Sequence, residues 1–112
     1  MTDLVVCVSG EQRKLNHVKR VIEAEGWRKV FLVGSEKADV DGEHIAVDEK
    51  NTISEISHLL ESSLKGRIEG IEVGVNVVCG SGKLHMALMS ALLKLGLAVR
   101  FIALTREGVR EI

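Results

Sequence analysis

The chain has 112 residues, of which 46% are hydrophobic, and its formal net charge is −1 at pH 7. This length fits a single domain over residues 1–112, and the near-neutral charge argues against a surface that binds duplex nucleic acid. No run approaches the roughly twenty apolar residues of a membrane span, and the first apolar run is too short for a signal peptide. We therefore expect a cytoplasmic protein with no membrane contact, in which Cys7 and Cys79 stay reduced and buried.

The N-terminal part of the chain alternates strand and helix patterns. The segment DLVVCVSG is a continuous apolar run ending in glycine, as a buried parallel strand does. The segment EQRKLNHVKRVIEAEG then has apolar residues at helical spacing, with Ser9 and Gln12 placed as a capping box and Gly26 as the C-terminal stop. A second strand, KVFLVGSE, and the loop KADVDGE follow. The pattern predicts a βαβ unit.

The rest of the chain continues this alternation. HIAVD is a short third strand, and Thr52 with Glu55 forms a capping box ahead of a helix that ends before Gly66. GIEVGVNVVCG, the helix Leu84–Leu95, AVRFIALT and GVREI follow in that order. The sequence therefore predicts an α/β fold with a Rossmann-like, open, mostly parallel sheet, helices on both faces, and a C-terminal antiparallel hairpin at one edge.

Glycines, hydroxyls and charges collect where the predicted strands end, which is where open parallel sheets bind ligands. These positions are Ser9, Gly10, Gly34, Ser35, the segment 48–51, Gly80, Ser81, Gly82, Lys83 and the segment 105–106. Asp48 and Glu49 are either acid/base groups or ordinary loop charges. Ser9 is either the helix cap or a phosphate contact facing Lys83.

The turn Gly80–Lys83 opens the helix Leu84–Leu95 and has two interpretations. A helix N-terminus presents unpaired N–H groups and a positive dipole end, so the turn with Lys83 is a candidate phosphate cradle. It is equally an ordinary strand-to-helix connection with a solvated lysine. A Walker A loop is excluded because Val77 and Leu84 stand where it needs glycine and Ser/Thr, and the turn lacks the third glycine of a dinucleotide fingerprint.

The sequence predicts no cofactor. It also predicts no metal site, because the four histidines do not have the spacing of metal ligands. The helix Leu84–Leu95 is apolar nearly all round, so one side packs on the sheet and the other needs a cover. A homodimer through this helix is the simplest cover at this chain size, and it would bring two Gly80–Lys83 turns together.

The apolar strand, the turn, the apolar helix and the terminal VRFIALTREGVREI together resemble the CRISPR-associated Rossmann-fold (CARF) domain. Lys83 matches the family's turn, whereas Cys79, Ser81 and Gly82 stand where the family commonly has Thr, Gly and Thr. The resemblance implies a homodimer that binds a cyclic oligoadenylate, a second messenger of type III CRISPR defence, through Ser9, Gly10 and the turn Gly80–Lys83 of each subunit.

Some members of the family cleave the bound ring without a metal, and the resemblance makes Ser9 and Lys83 the matching catalytic positions. Our first hypothesis is that the chain is a cyclic oligoadenylate sensor, and our second is that it is a ring nuclease. A protein-interaction domain that docks through the apolar helix, and a domain that binds another phosphorylated metabolite, remain as alternatives. We expect any effector domain to belong to a separate protein or to be absent.

Overall fold

The computed structural model describes residues 2–112, which form one six-stranded sheet and three helices. The strands are β1 (Asp3–Cys7), β2 (Val30–Gly34), β3 (Glu43–Ala46), β4 (Glu72–Asn76), β5 (Ala98–Thr105) and β6 (Gly108–Glu111). The helices are α1 (Gln12–Glu23), α2 (Ile53–Leu64) and α3 (Gly82–Lys94).

The strand order is β3-β2-β1-β4-β5-β6, and all neighbours are parallel except β5 and β6. Strand β1 lies at the centre, with Val5 aligned to Phe31 of β2 and to Val75 of β4, and all five of its residues are buried. The predicted fold class, including the C-terminal antiparallel hairpin, is confirmed.

Helix α1 covers one face of the sheet, and α2 and α3 pack side by side on the other. Alternation along each strand sorts the side chains between these layers. On β4, Asn76 points to α1, where it contacts His17, so Val75 points to α2 and α3. None of the helices in residues 2–112 has the length and apolar character that a bilayer crossing requires.

The two predicted capping boxes have different outcomes. At α2 both bonds form, from Glu55 N–H to the Thr52 hydroxyl and from Thr52 N–H to the Glu55 carboxylate, each at 3.2 Å. At α1 the prediction is wrong, because the cap residue is Glu11 and it makes no side-chain cap bond. Strand pairing continues to Val8, whose N–H bonds to β2, so Ser9 lies in the turn after the strand rather than at the helix start.

The C-terminal end of α1 also differs from the prediction, since the helix ends at Glu23 and not at Gly26. Trp27 provides the physical reason. Its indole N–H donates to the Val21 carbonyl at 3.1 Å, and its ring lies against Gly74 of β4. The chain leaves the helix early because the indole both packs beneath the helix and satisfies one of its last carbonyl groups.

Candidate functional site

The candidate site lies at the carboxyl ends of β1 and β4, which are neighbours in the sheet. From β1 the chain leaves to α1 on one face, and from β4 it leaves to α3 on the other. Such a switch point opens a crevice in which doubly wound folds bind ligands. The loop with Ser9 and Gly10 therefore lies beside the turn Gly80–Lys83, while Gly34 and Ser35 lie on the far side of β1.

The conformation of the turn Gly80–Lys83 is fixed by a left-handed glycine and by hydrogen bonds with neighbouring side chains. Gly80 has a φ of +91°, a left-handed conformation that favours glycine. The His85 ring donates through Nε2 to the Cys79 carbonyl at 2.6 Å, and the Ser81 hydroxyl caps α3 by accepting from the Leu84 N–H at 3.2 Å. Two N–H groups at the helix start, those of Gly82 and Lys83, have no hydrogen-bond acceptor among residues 2–112.

Glu49, from the loop between β3 and α2, contacts this turn through two bonds. The Ser81 hydroxyl donates to the Glu49 carboxylate at 2.5 Å, and the Lys83 ammonium donates to the Glu49 backbone carbonyl at 2.7 Å. The carboxylate therefore lies at the N-terminus of α3, where the helix dipole stabilises a negative charge. An external anion at this turn would have to compete with Glu49.

The other predicted residues at this rim are engaged locally. The Ser9 hydroxyl accepts from the Glu11 N–H at 3.4 Å, so it bonds within its own loop and not to Lys83. Gly10 lies against the Glu36 carboxylate, and Gly34 is buried so close to the Val8 backbone that a Cβ there would be 2.6 Å from its carbonyl oxygen. Glycine at position 34 thus has a packing role, while Ser35 is exposed.

Cys7 and Cys79 lie directly beneath the crevice, and both are buried and unpaired, as predicted. Burial, and to a smaller extent the neighbouring Cys79 and Glu49, raises the pKa of the Cys7 thiol to about 12. The thiolate needed for nucleophilic attack or metal binding is therefore disfavoured at this position. Among residues 2–112 no group of three His, Cys, Asp or Glu side chains is arranged to hold a metal ion.

Helix α3 has a buried face and an exposed apolar face. Leu84, Leu88 and Leu92 are fully buried, whereas Met86 and Leu93 are 62% and 65% exposed. The exposed Phe101 and Ile112 lie on the same side of the sheet as α3, because Phe101 is aligned with Val75 and bonds to the Ile112 N–H. We call Met86, Leu93, Phe101 and Ile112 the apolar face.

A buried polar network under α1 was missed from the sequence. Asn76, 3% exposed, donates to the Ile102 carbonyl at 2.8 Å and to His17 Nε2 at 3.0 Å, while its oxygen accepts from the Val78 N–H at 3.3 Å. The Leu104 N–H also donates to His17 Nε2, at 3.3 Å. The available signal was a single amide side chain within the otherwise apolar segment VGVNVVCG.

The site thus combines an uncapped pair of helix N–H groups, one lysine and an intramolecular carboxylate at a switch point, next to an exposed apolar helix face. Chemically, this arrangement favours binding of an anionic group over covalent or metal-dependent chemistry. No protein-family model matches the chain, and a comparison with curated proteins gives no significant match.

Proposed function

We propose that the chain is a cytoplasmic sensor domain of type III CRISPR antiviral defence, which binds a cyclic oligoadenylate in the crevice of a homodimer. The observation that carries this proposal is the turn Gly80–Lys83, with two uncommitted N–H groups and an ammonium at the switch point. A phosphodiester suits such a turn because backbone N–H groups and a cation together stabilise its charge. The resemblance to CARF domains supplies the identity of the ligand.

The apolar face supports the homodimer part of the proposal. Met86 and Leu93 lie on the side of α3 that faces away from the core, so two copies of α3 could cover each other around a twofold axis. The N-termini of the two helices would then supply two equivalent turns. A ring with an even number of adenylates has a matching twofold symmetry, and it would contact Ser9, Gly10 and the turn of each chain.

The first prediction concerns Lys83. We expect the wild-type melting temperature to rise with cyclic tetra- or hexa-adenylate, because a ligand of the folded state stabilises it. We expect Lys83→Ala to lower the affinity for the effective ring by about tenfold or more, since a hydrogen bond from a charged group contributes about 1.5–3 kcal/mol. Isothermal titration calorimetry would measure the affinity and a stoichiometry of one ring per two chains.

The matched control is Lys94→Ala, which removes an exposed lysine from the opposite end of the same helix. This variant should bind the ring as the wild type does. If neither ring changes the melting temperature, the proposed ligand is wrong. If Lys83→Ala and Lys94→Ala bind equally well, the ring does not use the turn.

A ring nuclease is the second candidate, favoured by Ser9, whose hydroxyl only accepts a hydrogen bond and keeps its own proton available. In that reaction a ribose 2′-hydroxyl of the ring attacks the adjacent phosphorus and the bond to the 5′-oxygen breaks. The proton of the 2′-hydroxyl passes to the departing 5′-oxygen, which leaves a linear product with a 2′,3′-cyclic phosphate. Ser9 would position the ribose, and Lys83 would stabilise the developing charge.

The second prediction separates these two candidates. For a sensor we expect the ring to be recovered intact after incubation without added metal, with the products resolved by chromatography. If the wild type forms a linear product and neither Ser9→Ala nor Lys83→Ala forms it, the chain is a ring nuclease instead. A melting-temperature rise with a different phosphorylated metabolite that is lost in Lys83→Ala, and no rise with either ring, would favour the metabolite-binding alternative.

A further inference from the structure

A second cleft lies beside α1, on the face of the sheet opposite α3. Its volume is about 600 Å³, and it lies between α1 and the carboxyl end of β5. On the helix side it is lined by Glu11 and by Arg13, Lys14, Asn16, His17 and Arg20 of α1, and on the sheet side by Val78 and Leu104. The proposed ring site uses none of these residues.

The buried network fixes the protonation state of the histidine in this cleft. The Ile102 carbonyl can only accept, so the Asn76 group facing it is the amide nitrogen, which also faces His17 Nε2. The Leu104 N–H can only donate, and it too faces His17 Nε2. Nε2 is therefore the unprotonated nitrogen, and the neutral ring carries its proton on Nδ1.

The Nδ1–H of His17 has no acceptor among residues 2–112, and the ring lines the cleft. Burial lowers the pKa of His17, so the neutral ring persists at neutral pH. A neutral histidine oriented by a buried asparagine and a backbone N–H thus provides a fixed hydrogen-bond donor in the wall of the cleft.

Two exposed arginines flank this donor along the helix. Arg13, His17 and Arg20 follow the spacing i, i+4, i+7 and so share one face of α1, with the arginine Cα atoms about 10 Å apart. Neither arginine forms an ion pair or hydrogen bond with residues 2–112, whereas Lys14 is paired with Glu11 at 3.4 Å. The cleft therefore carries uncompensated positive charge.

From this geometry we infer that the cleft binds a phosphorylated small molecule of nucleotide size, independently of the ring site. The arginines supply bidentate donors for phosphate oxygens, and the His17 Nδ1–H supplies a third, directional donor. Val78 and Leu104 offer an apolar surface against which a base or sugar ring can pack. The volume is within the usual range for sites of small organic ligands.

The third prediction tests this inference with adenosine 5′-monophosphate as the probe, followed by ¹H–¹⁵N NMR of the full chain. We expect saturable shifts at the amides of His17, Val78 and Leu104, and slower exchange of the His17 Nδ1 proton. We expect Arg13→Gln and Arg20→Gln each to weaken binding by about tenfold, because each removes a charged donor. Ribose 5-phosphate and inorganic phosphate, titrated in parallel, measure what the base and the sugar contribute.

Arg110→Gln is the matched control, because it removes an exposed arginine on β6 without touching the cleft. This variant should bind the probe as the wild type does. The inference is overturned if the shifts fail to saturate, if they centre on the turn Gly80–Lys83, or if the two cleft variants bind as tightly as Arg110→Gln. Failure of the ring experiments leaves these outcomes unaffected, since the probe and the readout residues are different.

Discussion

We expect the Asp3→Ala variant to lose about 3 kcal/mol of its free energy of unfolding, because it removes the buried partner of Arg28 and leaves two backbone N–H groups without their acceptor. Asp3 is 0% exposed and accepts hydrogen bonds from Arg28 Nη2 at 2.7 Å, the Lys29 N–H at 3.1 Å and the Glu69 N–H at 2.9 Å. One carboxylate thus joins the amino end of β1 to the chain entering β2 and β4. Urea unfolding at neutral pH measures the loss.

The pH dependence gives an independent readout of the same carboxylate. Burial by itself would raise the pKa of Asp3, but the hydrogen bonds from Arg28 and the two backbone N–H groups, with the charge of Arg28, lower it below its ordinary 3.8. Its contribution is therefore complete above pH 3.8 and is lost as the pH falls through the lower folded-state value. Asp3→Asn lacks this acid-dependent loss. Asp39→Ala, an exposed aspartate, is the control, and equal midpoints for Asp3→Ala and Asp39→Ala would contradict the prediction.

The second large effect is expected at the proposed dimer contact. Replacing both Met86 and Leu93 with glutamate would place unpaired charges in an apolar contact, where each costs several kcal/mol. We expect the dimer dissociation constant to rise by about a thousandfold or more. Light scattering coupled to size exclusion would then report a monomer, while circular dichroism stays that of the wild type because both positions are exposed in a single chain.

Ile71→Glu serves as the control, since Ile71 is an exposed apolar residue just before β4 and is not part of the apolar face. This variant should stay dimeric. A monomeric wild type would remove the dimer from the proposal, and the apolar face would then favour docking of another protein. A doubly substituted chain that is still dimeric would place the contact elsewhere.

Local patterns predicted most of the fold because they act within a few residues. Strand β5 matches the predicted segment AVRFIALT, whose ends are marked by Gly96 and by the turn before Gly108. The same capping-box pattern succeeded at Thr52 and failed at Ser9. The difference lies in Val8, whose bond to β2 extends the strand pairing and moves the helix start beyond the reach of the Ser9 hydroxyl.

The contacts at both candidate sites could not be predicted, because they join residues far apart in the chain. Glu49 contacts Lys83 across 34 positions, and Asn76 contacts His17 across 59. Sequence patterns placed the turn on the correct edge of the sheet, since parallel strands have their carboxyl ends together. They could not reveal that a carboxylate from another loop occupies it, since that depends on how the loop after β3 crosses the sheet.

Glu49 raises the affinity that an external anion needs in order to bind at the turn Gly80–Lys83. Being tethered by its own backbone, it competes with diffusing anions at an effective concentration of about millimolar or higher. In the proposed homodimer, a metabolite with one phosphate group would gain little by displacing the Glu49 carboxylate, whereas a ligand that contacts both turns would gain from both. The intramolecular acid would therefore act as a filter, making occupancy depend on multivalency rather than on negative charge alone.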